Sequence, residues 1–159
     1  MADQVLEIAY EAARAALREQ DGTLTSLRNR ATALLSAAMV GTSVSAAVGL
    51  LRTDVQRGAV FPPWAAWTLL SLVIAIGAAA MIALWPTRRW SFGPDPAKLL
   101  ANAGGDIDEV RTAVTKALVT GIERNNQAIM LRGTAYRLGA ALLLVEMAVL
   151  VIALVVGVG

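Results

Sequence analysis

The sequence predicts an all-α integral membrane protein, and two observations carry this prediction: an apolar composition and three long stretches with almost no charge. Of the 159 residues, 57% are hydrophobic and 16% are charged, and the mean hydropathy is +0.59. Soluble proteins are about 45–50% apolar and about 25% charged. Because the apolar excess is concentrated in long runs, we expect a single membrane domain over residues 1–159.

Three segments are long enough to cross a bilayer, whose core needs about 20 apolar residues in a helix. The first two, residues 31–51 and 64–85, contain no charged residue. The third, residues 138–158, contains only Glu146. These segments are the predicted spans one, two and three.

The orientation of the spans follows from the basic residues, which accumulate on the cytoplasmic side of membrane proteins. Of the 14 basic residues, only Arg52 and Arg57 lie between spans one and two. The other 12 precede span one or lie between spans two and three, which predicts a cytoplasmic N-terminus and an external C-terminus. The tryptophans fit interfacial positions at both ends of span two: Trp64, Trp67, Trp85 and Trp90.

The residues before span one predict a separate cytoplasmic helix. Residues 3–21 have a weak, Ala-rich apolar face. Asp21 and Gly22 indicate a break, after which Thr23 or Thr25 would cap the helix that enters span one. The apolar face could lie on the membrane surface or pack against another cytoplasmic helix, and its mixed charge favours the second alternative.

The region after span two predicts an irregular linker and then one long helix. Residues 86–105 contain Pro86, Pro94 and Pro96, which are incompatible with a continuous helix. Asp106 and Glu109 form a capping-box pattern at a helix start. Nothing interrupts the helix afterwards, so the cytoplasmic part at 106–135 is expected to be continuous with span three.

Glu146 is the most informative single residue, because a carboxylate near the middle of a bilayer costs at least ~2.5–3.5 kcal/mol and should face protein or water. Seven-residue steps place it on a small or polar stripe of the helix, which we expect to be the packed face. The stripe consists of Asn125, Arg132, Gly139, Glu146 and Ala153, with Ala128 and Ala135 on the same side. Two interpretations are open: an ion-path or protonation site, or a protonated Glu146 that donates a hydrogen bond to a neighbouring helix.

Depth in the membrane suggests partners for Glu146, and small residues suggest how the helices pack. At the level of Glu146, span one offers Gly41, Thr42 and Ser43, and span two offers Ile76 and Gly77. Small residues at four-residue spacing allow close backbone approach of membrane helices. The residues expected to serve this packing are Gly41, Ser45, Gly49, Ala75, Ala79 and Gly139, and we expect such faces to support a homo-oligomer.

Three consecutive amides, Asn125 to Gln127, stand in the predicted cytoplasmic helix. They could be a solvated polar patch, could bond across a helix interface, or could line a vestibule with Arg124 and Arg132. The candidate pore or intramembrane polar site therefore consists of Glu146, Arg132, Asn125, Thr42 and Ser43.

The missing residue types argue against several kinds of function. The sequence has no His and no Cys, and it carries no phosphate-binding glycine loop or hydrolase motif. We therefore expect no enzyme, no metal and no cofactor. The net charge of +2 is too small to suggest nucleic-acid binding.

The order of features resembles a group of small bacterial membrane proteins, the SLATT-like and Pycsar-type transmembrane effectors of nucleotide-signalling anti-phage systems. The likeness covers about Thr23 to the C-terminus and lies in three pieces. These are Leu27-Arg28-Asn29-Arg30-Ala31-Thr32-Ala33-Leu34-Leu35, then Leu84-Trp85-Pro86 with Trp90-Ser91-Phe92, and then Asn125-Asn126-Gln127 followed by a last span carrying Glu146.

The resemblance implies an effector that permeabilises the bacterial inner membrane once it is triggered. The sequence contains no separate nucleotide-sensing domain. The resemblance therefore implies that the trigger, a nucleotide signal or a cytoplasmic protein, acts on the cytoplasmic helices or through a partner.

Three functions follow from these observations as hypotheses. The first is a homo-oligomeric ion channel or pore-forming effector in the inner membrane, gated through its cytoplasmic helices, whose partners are further copies of the chain and the lipid bilayer. The second is a non-conducting scaffold or accessory subunit that docks a soluble partner. The third is a small proton-coupled transporter that uses Glu146, against which the missing inverted repeat counts.

Overall fold

The computed structural model describes residues 2–51, 62–86, 90–91, 93 and 106–158. Within these residues the chain is all-helical and has no strand. The three helices are α1 (Ala2–Leu51), α2 (Pro63–Leu84) and α3 (Ile107–Val158). The predicted external loop at 52–61 and most of the predicted linker at 86–105 lie outside the described residues, as do Arg52, Arg57, Arg88 and Arg89.

Helix α1 is one continuous helix of 50 residues, so the predicted break at Asp21 and Gly22 is wrong. Gly22 costs a helix about 1 kcal/mol relative to Ala, and no atom lies within 4 Å of the position where its Cβ would be. Gln20 and Leu24, on either side of it, are buried. Their packing offsets the local cost, and Thr23 and Thr25 lie inside the helix instead of capping it.

Helix α2 begins and ends where the composition predicts span two. Pro63 occupies the first position of the helix, where its missing N–H is not needed. The N–H groups of Ala65 and Ala66 donate to the carbonyl oxygen of Pro62, at 2.9 and 3.3 Å. At the other end the N–H of Trp85 donates to Met81 O at 2.8 Å. The helix has 22 residues, about 33 Å at 1.5 Å per residue, which matches a bilayer core.

Helix α3 is the predicted long element, with 52 residues. Asp106 precedes it as the N-cap: its Oδ1 accepts the N–H of Asp108 at 3.4 Å, and its carbonyl oxygen accepts the N–H of Val110 at 3.0 Å. The isolated glycines Gly121, Gly133 and Gly139 do not interrupt the helix.

The chain divides into two compact units, where the composition predicts one domain. Unit 1 consists of Met1–Ser26 and Pro86–Leu131, and unit 2 consists of Leu27–Trp85 and Arg132–Gly159. Helices α1 and α3 each contribute to both units. The division therefore follows packing along these two helices and not a linker between independent segments.

In unit 1 the first part of α1 packs against the first part of α3. Ala13 and Leu17 of α1 are buried with Leu118 of α3, and Tyr10 and Ile122 pack against this cluster. The apolar face of residues 3–21 thus packs on another helix, as its mixed charge favoured.

In unit 2 all three helices contribute to the core. Leu34 and Ala38 of α1 are buried with Ile76 of α2, and Tyr136 and Leu143 of α3 pack against them. Two helices, α2 and α3, are long and apolar enough to cross a membrane. The third span, in α1, stays a prediction.

Candidate functional site

The polar stripe of α3 is buried, as its seven-residue spacing predicts. The exposed fraction is 1% for Asn125, 5% for Arg132 and 2% for Glu146, and Gly139 and Ala153 are buried on the same face. Buried polar groups need partners. The surroundings of each polar residue therefore decide what it can do.

Glu146 lies in the core of unit 2 against α1. A Cβ added to Gly41 would lie 3.8 Å from Glu146 Oε1 and 3.7 Å from the sulfur of Met147. The depth comparison therefore found the right neighbour in Gly41. Glu146 Oε2 is buried and has no hydrogen-bond partner among the described residues. A buried carboxyl oxygen without a hydrogen-bond partner lowers the stability of the fold, so Glu146 is an unfavourable polar group in this core.

Thr42 and Ser43 do not contact Glu146, although the sequence predicts the same depth for them. Both are exposed, and their hydroxyl groups donate to carbonyl oxygens of their own helix: Thr42 to Ala38 O at 2.9 Å and Ser43 to Met39 O at 2.8 Å. Together with Gly77 they line an open, mainly apolar groove of about 460 Å³ between α1 and α2. The hydrogen bond predicted between Glu146 and these residues is absent from the described part of the chain.

The small residues serve contacts within one chain. Gly139 is the tightest position, since an added Cβ would lie 2.8 Å from Leu34 Cδ2 and 3.3 Å from Ala79 Cβ. Helices α1, α2 and α3 approach one another closely here because Gly139 has no side chain.

The other small residues contribute unequally to this packing. Gly41 and Ala79 are buried, whereas Ala75 and Ser45 are half-buried, and the Ser45 hydroxyl donates to Gly41 O at 2.9 Å. The side-chain surroundings of Gly49 lie outside the described residues. Gly41, Ala79 and Gly139 are thus used inside unit 2 and do not by themselves indicate a contact between copies.

Arg132 caps the C-terminal end of α2. Its Nη2 donates a hydrogen bond to the carbonyl oxygen of Trp85, the C-terminal cap residue of that helix. A guanidinium suits this position because the last carbonyl groups of a helix lack partners and carry partial negative charge. Burial, together with the positive charge of Arg28, lowers the pKa of Arg132 below its usual value. The geometry gives Arg132 a structural role within the chain.

Asn125 holds the segment after α2 against α3 in unit 1. Its Oδ1 accepts the N–H of Ser91 at 3.2 Å, and its Nδ2 donates to Ser91 O at 3.0 Å. One turn earlier, a Cβ on Gly121 would lie 2.6 Å from the Ser91 hydroxyl oxygen. Gly121 therefore makes room for Ser91, and Asn125 satisfies both polar groups of its backbone.

The three consecutive amides have different roles. Asn125 is buried, whereas Asn126 and Gln127 are exposed. Gln20 Nε2 donates to Asn126 Oδ1 at 2.8 Å and to Ile122 O at 3.0 Å. The hypothesis of bonding across a helix interface is therefore confirmed for Asn126, whose partner Gln20 lies on α1. Asn125 bonds instead to the non-helical Ser91, and Gln127 is exposed.

Sequence reasoning did not find Gln20, Ser91 or Gly121. Gln20 could have been found, because it continues the three- and four-residue spacing of the buried Ala13 and Leu17. Ser91 and Gly121 carry no such signal, since their contact joins distant parts of the chain.

Among the residues that the structure describes, no group of three or more acidic side chains is arranged to hold a metal ion. Comparisons of the chain with family models, with curated proteins and with solved structures give no match.

Proposed function

We propose that the chain is a three-span protein of the bacterial inner membrane that assembles into a homo-oligomeric ion channel. Its N-terminus and the linker after α2 would be cytoplasmic and its C-terminus external. The distribution of the 14 basic residues supports this orientation. The exposed Trp64, Trp67 and Trp85 at the two ends of α2 fit the two interfaces.

The observation that carries the channel proposal is an exposed polar stripe on α1. Asn29, Thr32, Ser36 and Ser43 are all exposed, and at 100° per residue they lie within about 60° of one another around the helix. Ser43 also borders the groove between α1 and α2, and the exposed Met39 and Val40 flank the stripe. The buried residues of the same part of α1, which pack on α2 and α3, point about 190° away. They are Ala31, Leu34, Ala38 and Gly41. A polar face on the outer side of a membrane span is better placed against water or another copy than against lipid.

The hydroxyl groups of this stripe are already hydrogen-bonded as donors. Thr32 donates to Arg28 O at 3.1 Å, Ser36 to Thr32 O at 3.1 Å and Ser43 to Met39 O at 2.8 Å. Their oxygen lone pairs remain available to water or to a cation. Copies of α1 arranged around an axis would thus form a pore wall of hydroxyl oxygens.

In this proposal Glu146, Arg132 and Asn125 lie inside each protomer and not on the pore wall. Arg132 would hold the inner end of α2, Asn125 would hold Ser91, and the cytoplasmic helices would be the route for gating. The resemblance to membrane effectors of anti-phage systems is compatible with a triggered pore of this kind.

Cysteine accessibility tests the proposal directly, because the chain has no native cysteine. The variants Ser36→Cys and Ser43→Cys would be studied in planar bilayers with a water-soluble, charged thiol reagent. Ser71→Cys is the matched control, since Ser71 is an exposed serine on α2 whose hydroxyl also bonds its own helix, to Trp67 O at 2.8 Å. We expect the reagent to reduce the current several-fold in the α1 variants and to leave the control unchanged.

The opposite results would refute the proposal. A wild-type chain that inserts into the bilayer without conducting is not a channel. A block in Ser71→Cys with none in the α1 variants would place the pore elsewhere.

A non-conducting scaffold is the second candidate function. It is favoured by Val5 and Ile8, which are each 67% exposed on unit 1. Exposed large apolar residues at neighbouring positions are typical of a surface that contacts a partner protein. Absence of current would leave this function as the better interpretation.

A further inference from the structure

Unit 1 contains a half-open cleft of about 250 Å³ beside α1. Its charged lining residues are Arg14, Arg18 and Asp21 of α1, and Tyr10 and Trp90 supply aromatic surface. We propose that this cleft binds a small, soluble phosphate ester that carries a flat apolar group, with Arg14 and Arg18 as the ligands of the phosphate.

The two arginines are placed to act together. Arg14 and Arg18 are four residues apart and therefore lie on the same side of α1, about 6 Å apart along its axis. Both are exposed, and among the described residues neither forms an ion pair or a hydrogen bond. Their guanidinium groups thus have free donors in the geometry that phosphate oxygens accept.

Arg14 is also oriented by an aromatic neighbour. Its Cζ lies over the ring of Tyr10, 5.7 Å from the ring centre. A cation held against an aromatic face loses less side-chain freedom when it binds an anion. Tyr10 and Trp90 are both half-buried and line the same cleft, so a flat apolar group attached to the phosphate would meet aromatic surface.

The wall opposite α1 is held in place by buried groups. Trp90, Ser91 and Gly93 form part of this wall. Asn125, 1% exposed, bonds both backbone groups of Ser91. Gly93 has φ +141°, a backbone conformation that other residues rarely adopt. The backbone of this wall is therefore held at Ser91 by two hydrogen bonds from a buried amide.

Charge and volume limit the ligand. The lining has a net charge of +1, from the two positive charges of Arg14 and Arg18 and the negative charge of Asp21. This charge suits one phosphate group better than a polyphosphate. Ligand pockets usually measure about 300–1,000 Å³. A cleft of about 250 Å³ therefore takes one phosphate with one ring.

Distance along α1 favours a soluble ligand over a lipid head group. Arg18 precedes Ala31, the predicted start of span one, by 13 residues, or about 20 Å of helix. The polar layer on each side of a bilayer is only about 5–8 Å thick. This step rests on the proposed topology, and under it Trp90, which the sequence predicts at the inner interface, lies in the cleft instead. The phosphate chemistry rests on the cleft alone.

The test is calorimetric titration of the full chain in neutral detergent with phenyl phosphate, and with phenol as the uncharged analogue. We expect phenyl phosphate to bind and phenol to bind at least tenfold more weakly. Arg14→Gln and Arg18→Gln should each weaken phenyl phosphate binding about tenfold or more, since each removes a charge-assisted contact. Arg124→Gln, at an exposed arginine of unit 1 outside the cleft, is the matched control and should bind as the wild type does.

Three results would overturn the proposal. The first is no binding of phenyl phosphate by the wild type at millimolar concentration. The second is binding that Arg14→Gln and Arg18→Gln leave unchanged, while circular dichroism shows that they are folded. The third is displacement of phenyl phosphate by phosphatidylglycerol added to the micelles, which would identify a lipid head group as the ligand. None of these results depends on conductance, so the channel proposal stands or falls separately.

Discussion

Replacement of Asn125 by Ala tests whether a buried amide holds the Ser91 segment. Asn125 is 1% exposed and makes two hydrogen bonds to the backbone of Ser91, at 3.2 Å and 3.0 Å. Gln127, two residues later, is an exposed amide on the same helix and provides the matched control. We expect Asn125→Ala to release the segment and Gln127→Ala to leave it in place.

The magnitude follows from the two bonds. A typical intramolecular hydrogen bond contributes about 0.5–1.5 kcal/mol net, so the loss of two should cost about 1–3 kcal/mol. If the segment opens locally, this cost raises the opening equilibrium roughly 5- to 150-fold.

Amide hydrogen exchange measures that opening. A peptide containing Ser91, followed by mass spectrometry of the chain in detergent, should exchange faster in Asn125→Ala by a factor in this range. Gln127→Ala should exchange at the wild-type rate. Equal exchange rates in the two variants would mean that the buried bonds contribute nothing measurable and that the three amides behave as one solvated patch.

Two further substitutions test the core of unit 2. Gly139→Leu should lower the free energy of unfolding in detergent by about 1–3 kcal/mol or more, because even a Cβ would lie 2.8 Å from Leu34 Cδ2. Gly77→Leu is the control and should leave the free energy of unfolding nearly unchanged, because no atom lies within 4 Å of its Cβ position. Equal losses in the two variants would contradict this packing. Glu146→Met should maintain stability or raise it by about 1–3 kcal/mol, since it removes a buried carboxyl oxygen that has no hydrogen-bond partner among the described residues. A clear loss of stability in this variant would reveal a bond that the carboxyl makes.

Local sequence patterns were sufficient to predict where α2 and α3 begin, because a helix start depends on neighbouring residues. Pro62 and Pro63 mark the start of α2, and Asp106 marks the start of α3. Hydrophobicity and the seven-residue spacing identified the buried face of α3, including Glu146, because that face is a property of one helix.

Gly22 is a case where local pattern was misleading. An Asp-Gly pair in isolation favours a break, and only the contacts of the residues around it keep α1 continuous. One such contact comes from α3, since Gln20 donates to Ile122 O, 102 residues away in the sequence.

In the candidate site, too, some features follow from the sequence and others only from the tertiary structure. The sequence by itself predicted that Glu146 and Gly41 lie at the same level, because position along a helix advances steadily by about 1.5 Å per residue. Only the tertiary structure decided that Gly41 faces Glu146 and that Thr42 and Ser43 do not. Each residue turns the chain by about 100°, so neighbours at nearly the same depth face different surroundings, and which surroundings those are depends on where the other helices pack.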